Sequence, residues 1–250
     1  MNKVKKERLD VLLVERGFFE TRENAKRHIM AGIILVNDVP VDKPGTKIPS
    51  DVRLRIKGHV MPYVGRGGYK LEKAIKEFHL DLKNLFFFGD SAGAHLATAY
   101  TAIQLNSDYA KEFPKITVSP KFVPKALVLN CGVFDMEGEV EHRGVLLTPF
   151  LTDILGAKPT TSSIMKMSPV RYITPDFPPV YLATSNGDFL RKHSHRLKEV
   201  LEQKQIDFVF KEYGNNKKTQ GHVFHLNLKN KVGQTCNQEQ IKFVRKIMER

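Results

Sequence analysis

Two cysteines in 250 residues, Cys131 and Cys236, sit in no motif. Two thiols build neither a disulfide framework nor a cysteine-rich metal site, and no metal and no cofactor are expected of the chain. A reduced, cytoplasmic setting is the simple reading. No apolar run approaches the roughly 20 residues of a spanning helix, so no membrane contact is expected. The opening stretch Met1-Asn2-Lys3-Val4-Lys5-Lys6-Glu7-Arg8 is basic but has no apolar core behind it, so no signal peptide is expected. Glycine pairs are scarce as well, Gly67-Gly68 being the only one. Hydrophobic content of 41% and charged content of 27% are ordinary for a globular protein of one or two domains.

Positive charge is what the chain has in excess. The net charge is +13, and residues 1–83 carry 18 Lys/Arg against 11 Asp/Glu. Such an excess favours polyanions by releasing their counterions, although a solvated basic surface has the same composition.

The most informative stretch is Leu85–Ala97, L-F-F-F-G-D-S-A-G-A-H-L-A. Leu85 to Phe88 predict a short buried strand, and Ala92 onward predicts a helix over 92–105. Gly89-Asp90-Ser91-Ala92-Gly93 between them is G-x-S-x-G, the nucleophile elbow. The spacing has a steric reason, since a strained Ser at the apex needs glycine neighbours on both sides. The helix N-terminus behind it favours a developing negative charge. The longer string resembles the elbow of the hormone-sensitive-lipase-like α/β-hydrolases, commonly G-D-S-A-G-G/A-x-L-A.

Upstream the chain reads differently. Leu9, Leu12 and Leu13 form a helical stripe ended by Gly17. Thr21 is a fair N-cap for a helix over 22–31, with Ala25, Ile29 and Met30 inward and Arg22, Lys26, Arg27 and His28 outward. Ile33–Val36, the turn Asn37-Asp38 and Val39–Val41 predict a hairpin. Pro44-Gly45 marks a loop. Val52–Ile56 alternates with period two, placing Arg53 and Arg55 on one side. With Arg8-Leu9-Asp10, Thr21–Lys26, Gly32 and Val36-Asn37 in this order, the segment resembles the ribosomal-protein S-four RNA-binding domain, or alpha-L motif. The resemblance implies structured RNA, ribosomal RNA in the first place, as partner, with Arg22, Lys26, Arg27 and Lys43 contacting phosphates. Cations on a rigid helix fix register on the backbone rather than read sequence.

Tyr63-Val64-Gly65-Arg66-Gly67-Gly68-Tyr69-Lys70-Leu71 resembles the linker and opening helix of TlyA-type proteins, the haemolysin A family of ribosomal-RNA ribose methyltransferases. Their usual string is Val-Ser-Arg-Gly-Gly-x-Lys-Leu, and Gly65 here replaces the usual Ser. Lys70 aligns with the first lysine of that family's Lys-Asp-Lys-Glu catalytic set. Leu71, Ala74, Ile75 and Phe78 make a helix stripe. The family would continue with a Gly-rich S-adenosylmethionine loop, and nothing in 79–250 supplies one.

From Ser91 onward the hydrolase order is followed. Lys125–Asn130, Pro178–Thr184 and Ile206–Tyr213 predict further strands. Residues 148–166 predict irregular helix, 193–203 a helix and 237–249 a closing helix. Asp188 falls at the C-terminal end of a strand, where ligand sites of open α/β sheets lie. The order Ser91, Asp188, His222 is that of α/β-hydrolases. The resemblance implies that Ser91 attacks an ester carbonyl, His222 moves the proton and Asp188 holds the imidazole. His225 and His95 are alternatives to His222, and Asp176 is an alternative to Asp188. The Ala92 N–H could donate to an oxyanion, but the His-Gly-Gly loop that donates in this branch is missing. The predicted elbow strand also lacks partners upstream, so an exposed sheet edge and self-association through it are expected.

The chain thus reads as an α/β protein of two joined parts. A small α+β RNA-binding domain at 1–60 and a TlyA-like linker and helix at 61–82 precede a partial α/β-hydrolase at 83–250, with helices on both faces of its sheet. The expected function is RNA binding joined to a serine esterase of weak or lost activity acting on a small ester. The alternatives are RNA binding without catalysis, or a TlyA-like methyltransferase without its S-adenosylmethionine site.

Overall fold

A computed structural model of the chain describes residues 5–57, 66–78, 80–114, 116, 118–119, 122–137, 149, 151–152, 154–155 and 158–250. The chain divides into two compact units, Met1–Leu80 and Asp81–Arg250.

In the N-terminal unit, β1 (Lys6–Arg8) leads directly into α1 (Leu9–Glu15) and pairs antiparallel with β4 (Lys47–Pro49). α2 (Arg22–Met30) packs on α1. β2 (Ile34–Val36) lies between β3 (Val39–Pro40) and β5 (Leu54–Ile56), antiparallel to both. The Thr21 hydroxyl accepts from the Asn24 N–H at 3.2 Å and so starts α2. Asn37 and Asp38 both have positive φ, 49° and 66°, the geometry of a two-residue hairpin turn whose twist matches its strands. Leu9, Leu12, Leu13, Ala25, Ile29 and Ile34 meet in one core.

Two side chains reverse the expected faces of α2. Met30 is exposed, whereas His28 is buried against the Phe19 ring, centroids 4.5 Å apart, with Nδ1 2.8 Å from the Asn24 carbonyl. Imidazole has an apolar face, and Phe19 just before the helix offers it a stacking partner. Arg53 and Arg55 stay outside as expected and both pair with Asp38. α3 (Arg66–Phe78) closes the unit, but Phe78 is exposed rather than part of a buried stripe. The predicted linker residues Tyr63, Val64 and Gly65 lie outside the described residues.

The C-terminal unit is built on a four-stranded parallel sheet. β6 (Phe86–Asp90), β7 (Ala126–Asn130), β8 (Val180–Ser185) and β9 (Phe208–Tyr213) lie in chain order. Alternation assigns the faces. Leu127, Leu129, Val180 and Leu182 point to the side covered by α4 (Ala92–Leu105) and α7 (Arg191–Gln203). Ala126, Val128, Tyr181 and Ala183 point to the side covered by α8 (Lys231–Met248). A sheet covered on both faces has strands that read as continuous apolar runs, as β7 does. Two shorter helices are α5 (Ser107–Lys111) and α6 (Thr161–Lys166), and residues 149, 151–152 and 154–155 are helical as well. Of the predicted irregular helix over 148–166, several positions, 148, 150, 153, 156 and 157, lie outside the described residues. α8 starts earlier than expected because Asn230 caps it, its side-chain oxygen accepting from the Val232 N–H at 3.0 Å. Among the described strands β6 lies at an edge of the sheet, and the expectation of a buried strand over Leu85–Phe88 is corrected: Leu85, Phe86 and Phe87 are half-buried and Phe88 is 52% exposed, because no described strand covers that edge.

Candidate active site

The elbow is formed by the close passage of β6 into α4. Ser91 sits between them at φ 54°, ψ −116°, a backbone conformation that L-residues rarely hold and that persists only under constraint. The constraint is visible: the Ser91 N–H donates to the Asn130 carbonyl of β7 at 2.9 Å, and the Ser91 carbonyl accepts from the His95 N–H of α4 at 3.2 Å. Gly89 is required, since a Cβ there would stand 2.5 Å from the Gly93 carbonyl and 2.6 Å from the Ala94 backbone. Gly93 is not, because a Cβ on it meets nothing within 4 Å among the described residues. The expectation that glycine is needed on both sides is corrected here: the helix turns its first residues to open space. Ala92 is exposed in the first turn of α4, where N–H groups lack intrahelical partners.

Asp188 follows β8 and is buried. Its Oδ1 lies 2.7 Å from His222 Nδ1 and accepts from the Leu190 N–H at 3.0 Å, and its Oδ2 accepts from the Thr184 hydroxyl at 3.0 Å. These donors orient the carboxylate towards the imidazole. The His222 side chain is about one-fifth exposed, and the exposed Phe189 ring lies 4.5 Å from it. No hydrogen bond joins Ser91 to His222 among the described residues. His222 is nonetheless close enough to Asp90, the residue before Ser91, to help lower the carboxyl pKa there.

The alternatives are occupied elsewhere. His225 is buried with Nε2 2.8 Å from Asp90 Oδ1, which also accepts from Asn130 Nδ2 at 3.0 Å. Gln240 Nε2 of α8 donates in turn to Asn130 Oδ1 at 2.9 Å. The His225 contact, foremost, holds the Asp90 carboxyl below the usual carboxylate range despite partial burial. His95 Nδ1 lies 2.9 Å from the Val133 carbonyl, and burial pushes its pKa down. Asp176 is exposed. Sequence reasoning missed the Asp90–His225 pair. Its signal was the charged residue inside the elbow string, which at a partly buried position favours a partner. It also missed Cys131, which the β7–β8 register brings beside Asp188 and His222.

In the N-terminal unit the four expected phosphate-binding cations differ. Arg22 donates to Asp10 Oδ2 at 2.9 Å, and Lys26 pairs with Glu23 at 2.6 Å. Arg27 keeps a buried Nε without a partner, and Lys43 is exposed. Lys70 is exposed on α3. No described helix is long and apolar enough to cross a membrane.

Comparison with known proteins gives two family matches. The family model for the alpha/beta hydrolase fold matches residues 68–226, and that for the S4 domain matches residues 7–54. The YqxC protein of Bacillus subtilis (strain 168), named for an rRNA methyltransferase, is 58% identical over 91 residues, 36% of this chain and 32% of its own length. Hemolysin A of Brachyspira hyodysenteriae is 36% identical over 77 residues, 31% of this chain and 32% of its own. The chain therefore spans about a third of each of these curated relatives. Among solved structures, esterase B from Lactobacillus Rhamnosis (HN001) superposes with a TM-score of 0.61 at 17% identity, over 79% of this chain and 66% of that one, which is a likeness of fold. With more than half of its length matched, the chain belongs to the alpha/beta hydrolase fold family and carries an S4 domain towards its N-terminus.

Proposed function

We propose that the C-terminal unit is a serine ester hydrolase of low turnover. In this reading Ser91 attacks the carbonyl of a small ester, and His222 takes the Ser91 proton and delivers it to the leaving alcohol. Asp188 holds the ring and stabilises the imidazolium. The observation that carries the reading is the 2.7 Å bond between His222 Nδ1 and the buried Asp188 carboxylate, in a unit whose Ser91 is held at a strained elbow. The Ala92 N–H supplies one oxyanion donor. The chain has no His-Gly-Gly string to add another. One lost donor costs about a hundredfold or more in rate, which is why turnover should be low. The test is hydrolysis of short-chain esters by the full chain and by Ser91→Ala. Equal rates in the two would remove the catalytic assignment.

The S4 domain is proposed to hold structured RNA, in keeping with the rRNA methyltransferase name of its 58% identical relative. Arg27 and Lys43 are the side chains least committed within the fold and are proposed to meet phosphates, with Arg22 and Lys26 exchanging their carboxylate partners for them. Affinity for a ribosomal-RNA stem-loop should fall steeply with salt. A salt-independent affinity, or none at low salt, would contradict this. The free edge of β6 is proposed to pair with a second copy. Sedimentation showing only monomer across a wide concentration range would count against that pairing.

A further inference from the structure

Cys131 is unused by the proposed mechanism, although it is buried within the catalytic group. It stands just past the end of β7 at φ 50°, with its N–H donating to the Ala183 carbonyl of β8 at 2.8 Å. A non-glycine residue held in the left-handed region is strained, and the adjoining strands keep it there. The result is that one thiol sulfur, one Asp188 oxygen and one His222 ring nitrogen lie within 4.8 Å of one another. Among the described residues no other set of three such groups comes together in this way.

We propose that Cys131, Asp188 and His222 form a binding site for a thiophilic divalent cation, of which zinc is the type, and that occupancy switches the hydrolase off. The ligand set is a borderline-soft one, with thiolate, imidazole and carboxylate each normal for zinc. Tetrahedral ligands about 2.0–2.3 Å from zinc stand roughly 3.2–3.8 Å apart, so from separations of up to 4.8 Å the atoms close by about 1 Å, and the 2.7 Å contact of His222 with Asp188 opens to admit the ion. Charge also matches. The Cys131 thiol loses its proton to solvent, the imidazole binds as the neutral ring, and thiolate plus carboxylate balance the two positive charges. A neutral assembly suits a site where Cys131 is fully buried and the Asp188 side chain has no exposure. Burial and the neighbouring Asp188 charge push the free thiol's pKa up, so without metal it stays protonated rather than reactive. The Thr184 hydroxyl and Leu190 N–H already hold Asp188 from behind, as outer partners hold metal ligands. Three protein ligands would leave a fourth position for water.

Binding rests on this geometry alone, and only its inhibitory consequence rests on the proposed esterase activity. The experiment separates the two. The full chain is titrated with Co2+ and followed by absorption, and with Zn2+ and Mg2+ by calorimetry. One Co2+ per chain with a thiolate-to-cobalt charge-transfer band is expected, with Zn2+ competing for it and Mg2+ not. Cys131→Ser should lose the band and weaken Zn2+ at least about tenfold, the loss that even an outer partner of a metal site causes. Cys236→Ser should keep both. His222→Gln, on the more exposed side, should weaken Zn2+ likewise, and serves if Cys131→Ser does not melt cooperatively. Absence of the band in folded wild type, or unchanged Zn2+ affinity in folded Cys131→Ser or His222→Gln, would overturn the site. A band without any esterase activity would leave the site standing and remove the proposed function instead.

Discussion

The two units each bury an aspartate, and they treat it in opposite ways. Asp10, in the S4 domain, is fully buried and is held by two arginines, Arg8 Nε at 2.9 Å and Arg22 at 2.9 Å. Asp188, in the hydrolase unit, is held by a hydroxyl, a backbone N–H and an imidazole. Two fixed cations around one buried carboxylate make an ionic staple at the starts of α1 and α2. Asp188 has no guanidinium partner, and its 2.7 Å contact is with one nitrogen of a ring whose second nitrogen is left to act on another group. The two carboxylates therefore differ in their partners and not in their burial.

Exchanging the carboxylates for amides breaks the comparison most sharply. Asp188→Asn should reduce ester hydrolysis by about 10⁴-fold, because the amide orients the wrong tautomer of His222. RNA affinity should be unchanged. Gly89→Ala comes next: its Cβ would strike the Gly93 carbonyl and the Ala94 backbone, so the elbow must shift and hydrolysis should fall to background. A thermal melt of the variant should lie several degrees below wild type. Asp10→Asn should leave hydrolysis alone and destabilise the S4 domain by about 2 kcal/mol, read from denaturant unfolding. That is below the 3–5 kcal/mol of a fully buried broken pair, because both arginines are about half exposed.

The same residue sharpens the comparison through pH. Burial raises the Asp10 pKa, but the bonds from Arg8 and Arg22 more than offset it, and the group titrates below the usual carboxylate range. Folded Asp10 thus stays ionised where an unfolded chain takes up a proton. Its contribution is present above about pH 4 and is lost as the pH falls through the lower, folded value. Wild type should lose stability more steeply than Asp10→Asn between pH 5 and about pH 2, as melts across that range would show. The smallest effect is expected for Gly93→Ala. Its methyl meets nothing, and alanine favours a helix by roughly 0.5–1 kcal/mol over glycine, so stability should be equal or slightly higher. A loss comparable to that of Gly89→Ala would mean the elbow is packed differently.

Much of this was legible in the sequence because it is written in short-range order. The elbow string defines β6, Ser91 and α4 within 20 residues, and α4 spans the predicted 92–105. The hairpin turn is readable from Asn37-Asp38, two residues that tolerate positive φ. What failed was the assignment of faces where a polar residue has an apolar side. His28 stacks on Phe19 and goes inside, while Met30 is left exposed. What could not be read was strand register. Asp90 stands opposite Asn130 only because β6 and β7 pair as they do, and Cys131 reaches Asp188 only through the pairing of β7 with β8. These contacts join positions scores of residues apart, which periodicity does not report.

The central claim is that Ser91, His222 and Asp188 assemble into a working nucleophile although the chain lacks the His-Gly-Gly string. The most direct measurement is the intact mass of the full chain after exposure to a fluorophosphonate, with Ser91→Ala alongside. The reagent modifies a serine only when its base and an oxyanion donor are in place. A single, slowly formed adduct on the wild type and none on Ser91→Ala is the predicted result. A cooperatively folded wild type that remains unmodified, or an adduct that persists in Ser91→Ala, would contradict it.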